Sequence, residues 1–528
     1  MAGNAVGLGN FLRFPAQAAQ NGGGAFLIPY LICFLLMGLP LLWVEWAIGR
    51  HGGQFGHHSA PGMLDKLGTA RWLKYVGVFG LFTNLCIAAY YIYIESWALA
   101  YVFHSFVGTF RDIAPTAFFN NFVGADHQSI FYMPREALIW FLLTLALNSF
   151  ILSRGLARGI ELAALIGMPL LVLFGIILAI RGLTLSPDSP GIVQSPLVGL
   201  NFVWEPDLGG LGNPKTWLAA AGQVFFTLSV GMGSIHCYAS YLRKNQDIAA
   251  NAMAAGWTNE FVEVILGSSI ILPIATAYLG LEAVQQATAG GSGFSLGFLA
   301  LPTLFNNWGW FAPLAGAFWF GLLFFAAITS SLAMGQPILA FLEDEYDWPR
   351  VKAAIAFGVC SLFLGLVCVW LYPGGAFDEF DFWTGTFSLV VFALCEAIIF
   401  NWIFGVDRAW EEITRGADLK IPQLFRFVIH YVTPAFLLVV FVGSLISPES
   451  GNWVAAFHSL LSGNGWPFAA DSVIGKIFHV GSDYRWFDDA GHATRDLVMD
   501  GTRVLLSLVF FGIAWLVYKA WKKKEGAR

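Results

Sequence analysis

Stretches of about 20 consecutive apolar residues, each long enough to cross the hydrocarbon layer of a bilayer, recur from one end of this chain to the other. By hydropathy they number about twelve. Spans 1 to 12 are drawn at residues 1–20, 24–49, 71–106, 134–152, 158–181, 215–241, 248–278, 309–342, 349–371, 378–405, 424–447 and 499–521. Several are long enough to tilt or to extend past the membrane. Only 12% of residues are charged and 57% are hydrophobic, against roughly 25% charged in a soluble domain, so a soluble core could not hide this much apolar surface. The chain is therefore expected to be an all-α integral membrane protein. Its start carries neither a polar leader nor a small-residue cleavage site, so span 1 is read as a retained span and not as a signal peptide.

Lysine and arginine collect in cytoplasmic loops. One set of alternate loops, from Arg50 to Arg426, together with the tail residues Lys519, Lys522, Lys523, Lys524 and Arg528, holds nineteen of the 28 cations. Both termini are accordingly expected in the cytoplasm. The longer connections, near 107–133, 182–214, 279–308 and 448–498, fall on the opposite side, and the last reads as a partly helical external loop. No basic stripe with interleaved aromatics points to nucleic acid. All six cysteines lie inside apolar spans at irregular spacings and read as packing residues. The ten histidines, His51, His57, His58 and His236 among them, show no ligand spacing, and no nucleophile–base pair stands out, so an enzyme is disfavoured.

Spans 1 and 6 differ from the rest. Span 1 contains Gly3-Asn-Ala-Val-Gly-Leu-Gly-Asn10, and span 6 contains Thr227-Leu-Ser-Val-Gly-Met-Gly-Ser234. A single glycine would mean helix packing. Closely spaced glycines flanked by amide and hydroxyl side chains mark a break. Unwound backbone within a membrane is tolerated only where it is buried or lines a cavity, because each unpaired amide costs several kcal/mol there. Such a break offers carbonyls to a cation and amides to an anion. The two breaks stand five helices apart, as expected if 1–181 and 215–405 are inverted five-helix repeats followed by two additional helices within 424–521.

Met1-Ala-Gly-Asn-Ala-Val-Gly-Leu-Gly-Asn-Phe-Leu-Arg-Phe-Pro15, Asn21-Gly-Gly-Gly-Ala-Phe26, Tyr90-Tyr91, Glu95-Ser96-Trp97, Phe225-Phe226-Thr227-Leu228-Ser229 and Thr329-Ser330-Ser331 resemble the motifs of the neurotransmitter:sodium symporters, the bacterial leucine-transporting members above all. The likeness runs over nearly the whole chain and weakens at 107–133 and 448–498. It implies a sodium-coupled importer of small neutral, hydrophobic amino acids in a bacterial-type inner membrane, working by alternating access.

Two sodium sites are implied. The first takes the Ala5 carbonyl, the Asn10 and Asn259 side chains, the carbonyl and hydroxyl of Thr227, and the substrate carboxylate. The second takes carbonyls of Gly3, Val6 and Ala326 with hydroxyls of Thr329 and Ser330. Independently of the resemblance, sodium is a hard cation suited to neutral oxygens, and residues 326, 329 and 330 share one helix face. The competing reading of such hydroxyls is that they bond back to their own helix.

The resemblance places the substrate carboxylate at the amides of Leu8 and Gly9 and at the Tyr91 hydroxyl, with its ammonium at carbonyls of Ala5, Phe226 and Ser229. Ile87, Tyr91, Phe226, Ser229, Met232, Ser330 and Met334 would line the side-chain pocket, beside Thr227. The lining is uncharged, so a charged side chain would be costly to admit. Met232, Met334 and Ile87 depart from the bacterial pattern and leave the preferred side chain open. Amine-transporting members carry Asp where this chain has Gly7, which favours an amino acid. Arg13 and Asp381 match the outer gating pair, with Tyr91 and Phe226 as the aromatic lid. Glu263, near Tyr30, Gln223 and Thr227, matches the position whose carboxylate makes chloride unnecessary. Glu45, Glu95 and Glu396 read equally well as protonated packing acids.

Asp344 matches the inner-gate acid, whose basic partner precedes the first motif in other members. The chain therefore reads as truncated at its start, or as lacking that cation and half of the first broken helix. A non-transporting sodium-dependent amino-acid sensor, a channel and a transporter of another small zwitterion are the competing functions. A homodimer is left open.

Overall fold

A computed structural model of the chain describes residues 2–127, 129–289, 293–488, 491 and 493–526. Met1 and Arg528, which the sequence reading assigns to span 1 and to the basic tail, lie outside them. The described residues are helical, with two isolated β-bridges, Pro448 to Phe468 and Phe487 to Ala493.

Among the described residues ten helices are long and apolar enough to cross a membrane: Gly24–Gly53, Leu73–Val107, Arg135–Ser153, Leu156–Leu183, Ala249–Leu279, Ser295–Tyr346, Arg350–Trp370, Ala376–Ile403, Leu424–Ile446 and Arg495–Glu525. They coincide with spans 2 to 5 and 7 to 12. Spans 1 and 6 are absent from this set because both are interrupted. That of span 8 begins well before the drawn span, since short helices within 295–311 run into it. A sharp reversal at Gly309, φ 58°, separates them from Ala312–Tyr346.

Spans 3 and 8 are each 35 residues long, roughly 50 Å of helix against about 30 Å of hydrocarbon. They pack against each other at the centre. Span 3 is apolar all round and almost wholly buried, as a core helix must be. Spans 4, 5, 11 and 12 turn most of their apolar surface outward and ring this centre. Prolines inside spans 2, 5 and 8 (Pro29, Pro169 and Pro337) are accommodated in continuous helix, as bilayer-spanning helices allow.

The loops on the side opposite the basic set are more ordered than their composition predicts. Pro115–Val123, Pro196–Trp204, Leu281–Ala289, Trp453–Leu461 and Val473–Ile477 are short helices. The 448–498 loop is fastened to the bundle: Lys476 lies 3.7 Å from the buried Glu379, His479 lies 3.2 Å from Arg503 of span 12, and Tyr484 and Trp486 both donate to Asp500. No cysteine is in a disulfide. Cys33, Cys86, Cys237 and Cys368 are buried as expected of packing residues. Cys360 is exposed on the outward face of span 9 and does not pack.

Candidate functional site at the interrupted helices

Span 1 winds as Ala2–Ala5, breaks at Val6 and Gly7, and resumes through a wide turn, Gly9–Arg13, into Phe14–Gln20. Span 6 runs Pro214–Leu228, breaks over residues 229–233, and resumes as Ser234–Ala239. Ser229, Gly231 and Gly233 carry φ values of 56°, 72° and 91°. Only glycine enters that region without strain, so the two glycines permit the break, and Ser229 is held there by donating its hydroxyl to the Asn4 carbonyl at 3.2 Å.

The breaks expose backbone to a central cavity lined by Ala5, Gly7, Gly9, Asn10, Ile87, Tyr91, Phe226, Thr227, Ser229, Met232, Ser330 and Met334. All but one of the residues expected to hold the substrate are in this lining. Leu8 lines an adjoining outer cavity instead, yet its N–H reaches inward, donating to the Tyr91 hydroxyl at 3.0 Å. A β-carbon on Gly7 would lie 2.9 Å from both the Tyr91 hydroxyl and Ser330 Oγ, and one on Gly9 would lie 2.7 Å from the Phe226 ring. The glycines are there because the backbone itself forms the wall. The central cavity measures about 20 Å³, room for about one water.

Beside it, oxygens converge. Asn10 Nδ2 donates to Asn259 Oδ1 at 2.8 Å, to Thr227 Oγ1 at 3.2 Å and to Glu263 Oε2 at 3.0 Å, while Asn10 Oδ1 accepts the Gly7 N–H at 2.7 Å. The side-chain donors expected at the first cation site thus meet at one point, drawn from spans 1, 6 and 7. For the second, a β-carbon on Gly3 would lie 3.4 Å from Thr329 Cβ. The span 8 hydroxyls turn back on their own helix: Thr329 donates to Phe325 and Ala326 carbonyls, and Ser330 to Ala326. Val6 is fully buried in the first break.

Glu263 is fully buried and accepts from Gln223 at 2.7 Å and from the Thr227 hydroxyl. Tyr30 lies beside it, as expected, and donates to Glu260 at 3.0 Å. Glu260 is a buried acid that the sequence reading passed over.

The outer cavity, about 450 Å³, is lined by Arg13, Tyr90, Tyr91, Phe226, Asp378 and Asp381 among others. The ion pair expected between Arg13 and Asp381 is not formed. The Arg13 guanidinium lies over the Phe226 ring, 4.6 Å from its centroid, and Asp381 accepts from the Tyr90 hydroxyl at 2.8 Å. On the opposite face Asp344, whose basic partner was expected before the first motif, is met by His58 instead. It accepts the His58 N–H at 2.7 Å and lies 3.1 Å from His58 Nδ1, with the Tyr241 ring stacked on the imidazole. Nothing in the local sequence around His58 announces this contact.

Glu95 accepts from Asn148 and from Ser331 and joins spans 3, 4 and 8. Glu45 and Glu396 meet at His236, a histidine that spacing alone had set aside.

The profile of the sodium:neurotransmitter symporter family matches residues 1–121 and 114–480. An uncharacterized sodium-dependent transporter of Methanocaldococcus jannaschii is 30% identical over 443 residues, covering 83% of this chain and 86% of that protein. Sodium-dependent nutrient amino acid transporter 1 of Drosophila persimilis is 27% identical over 514 residues, 85% and 75% of the respective chains. The crystal structure of MhsT in complex with L-phenylalanine aligns with a TM-score of 0.71 at 30% identity, covering 84% of this chain and 96% of that one. With a family profile matched along most of its length, and two interrupted helices meeting at a backbone-walled cavity, this multi-pass membrane protein belongs to the sodium:neurotransmitter symporter family.

Proposed function

We propose that the chain is a sodium-coupled symporter that imports small neutral, hydrophobic amino acids by alternating access. The observation that carries this reading is the central cavity. One end is backbone and hydroxyl, and the other is Ile87, Met232, Met334 and the Phe226 ring, with no ionised side chain in the lining. A free carboxylate meets the Leu8 and Gly9 amides and the Tyr91 hydroxyl, and the substrate ammonium meets carbonyls of Ala5, Phe226 and Ser229. The two methionines repack easily around differing apolar side chains. A cavity of this size must widen to take an amino acid, which fits a site that closes around its cargo.

Sodium is cargo here. Its first site uses Ala5, Asn10, Thr227, Asn259 and the substrate carboxylate, and its second uses Gly3, Val6, Ala326, Thr329 and Ser330. The span 8 hydroxyls would rotate from their own carbonyls toward the second ion. The Glu263 carboxylate supplies the negative charge beside the first, so chloride is not required. Residues 1–181 and 215–405 act as inverted repeats, and spans 1, 2, 6 and 7 rock against the remainder. Arg13 and Asp381 close the outer side over Tyr91 and Phe226 once cargo is bound, and Asp344 with His58 closes the inner side. The basic loops and both termini face the cytoplasm.

The test is competition by each of the twenty amino acids against sodium-dependent binding of labelled leucine to the purified chain. Leucine, isoleucine, valine, methionine and phenylalanine compete. Aspartate, glutamate, lysine and arginine do not, nor do decarboxylated amines. Stronger competition by an amine than by its parent amino acid would overturn the reading.

A further inference from the structure

Three titratable side chains with no part in the site above meet beneath it. Glu45 of span 2, His236 of span 6 and Glu396 of span 10 are each fully buried. His236 Nδ1 lies 4.0 Å from Glu45 Oε2, its Nε2 lies 3.3 Å from Glu396 Oε2, and one such atom from each residue falls within 4.8 Å of the others. Glu45 Oε1 accepts the Gly231 N–H at 2.5 Å, one residue before Met232 of the central cavity. The triad is thus tied directly to the break in span 6. Its other polar atoms, Glu45 Oε2, both His236 nitrogens and both Glu396 oxygens, have no hydrogen-bond partner among the described residues.

The surroundings offer no countercharge. Span 10 adds Cys395 beside Glu396 and the Phe392 ring against His236. Span 3 adds the neutral Asn84 amide, which donates to the Met232 carbonyl. Arg50, further along span 2, is bound by Glu412. On the other side of span 6, Cys237 faces Asp344 and the Glu343–Arg350 ion pair. Among the described residues no lysine or arginine pairs with the triad. Two carboxylates left ionised in such a place would be strongly destabilising. Two exchangeable protons make the triad neutral, either as two carboxyls with a neutral imidazole or as an imidazolium between one carboxylate and one carboxyl. In both arrangements the added O–H or N–H groups meet acceptors that otherwise have none.

We propose that Glu45, His236 and Glu396 form a proton-binding site that holds two protons while the inner half of span 6 is packed and releases one when that half moves and water enters. The imidazole distinguishes this from a static pair of acids, because it gives either carboxyl proton an acceptor within reach. The sign follows: a proton lost leaves a negative charge that only the wetted, opened arrangement tolerates. Acid therefore favours the packed inner half and alkali its opening. This rests on the alternating-access reading above, with sodium holding the inner side closed.

The test uses the full chain in weakly buffered detergent with a pH-indicating dye and follows proton release when sodium is removed by a chelating cryptand. About one proton per wild-type chain is expected, since the triad titrates as a unit, and less than about one fifth of that from His236→Asn, His236→Gln and Glu396→Gln. The variants should keep sodium-dependent leucine binding within roughly threefold of wild type, because none of the three side chains lines the cavity. Intact wild-type binding with no proton released, or equal release by variants that bind, overturns the proton site alone. One equivalent of a divalent metal in the purified wild type, absent from His236→Asn, also overturns it. Absence of sodium-dependent binding in the wild type overturns the transport reading and this proposal with it.

Discussion

A β-carbon at position 7 would stand 2.9 Å from two hydroxyl oxygens at once, those of Tyr91 and Ser330. Gly7→Asp goes further, adding a carboxylate where the substrate's own carboxylate should lie. Like charges in a low-dielectric site repel by more than 1.4 kcal/mol, so sodium-dependent leucine binding is expected to weaken at least about tenfold, read by equilibrium binding. Glu263 makes a complementary prediction. It is the acceptor for Gln223, Asn10 and Thr227 beside the proposed first sodium site. Glu263→Ser removes its carboxyl and opens a small space beside donors. Uptake by this variant is expected to depend on chloride when compared in chloride and gluconate media, whereas wild-type uptake is the same in both. These residues were legible because they sit in long local motifs. Glu260, His58 and the His236 triad were not, because their partners lie on spans far apart in sequence. A histidine 191 positions after one glutamate and 160 before another carries no spacing signal.

Among the elements, the interruption of span 6 has the most specific sequence requirement. Gly231 sits at φ 72°, and a β-carbon there would lie 2.3 Å from the Leu389 carbonyl oxygen of span 10. Gly231→Ala is expected to destabilise the folded chain by about 1–3 kcal/mol through backbone strain and that contact. A thermal-shift measurement in detergent should show it, and the same substitution at the exposed Gly512, which has open space, should not. Both interruptions were readable from glycine clustering, because bilayer physics forbids unwound backbone without a purpose. The continuous spans were readable from hydropathy within a few residues. The external helices were not. Their short amphipathic stretches, such as Pro115–Val123 and Trp453–Leu461, are ordered by packing on the bundle rather than by their own propensity. Nor could the sequence say that spans 3 and 8 are central and spans 4, 5, 11 and 12 peripheral, since all are apolar.

At the scale of the whole molecule, spans 10 and 12 and the 448–498 loop meet at one buried acid. Glu379 is fully buried and is answered by Arg503 at 2.6 Å and Lys476 at 3.7 Å. Removing one partner of a buried pair costs about 3–5 kcal/mol. Arg503→Met should therefore loosen span 12 from span 10 and, through the lost contact with His479 at 3.2 Å, expose the 448–498 loop to limited proteolysis, measured as the rate of cleavage within that loop on sealed vesicles. His58 and Asp344 meet at one face of the bundle, and the cavity of about 450 Å³ lies toward the other, beside Tyr91 and Phe226. This asymmetry fits one end of the proposed two-sided cycle driven by a sodium gradient. Accumulation of labelled leucine in proteoliposomes tests it most directly. The account predicts accumulation above the external concentration only with an inward sodium gradient, collapsing when sodium is equal on both sides. Equal accumulation in potassium alone, or sodium-dependent binding without any accumulation, would contradict it.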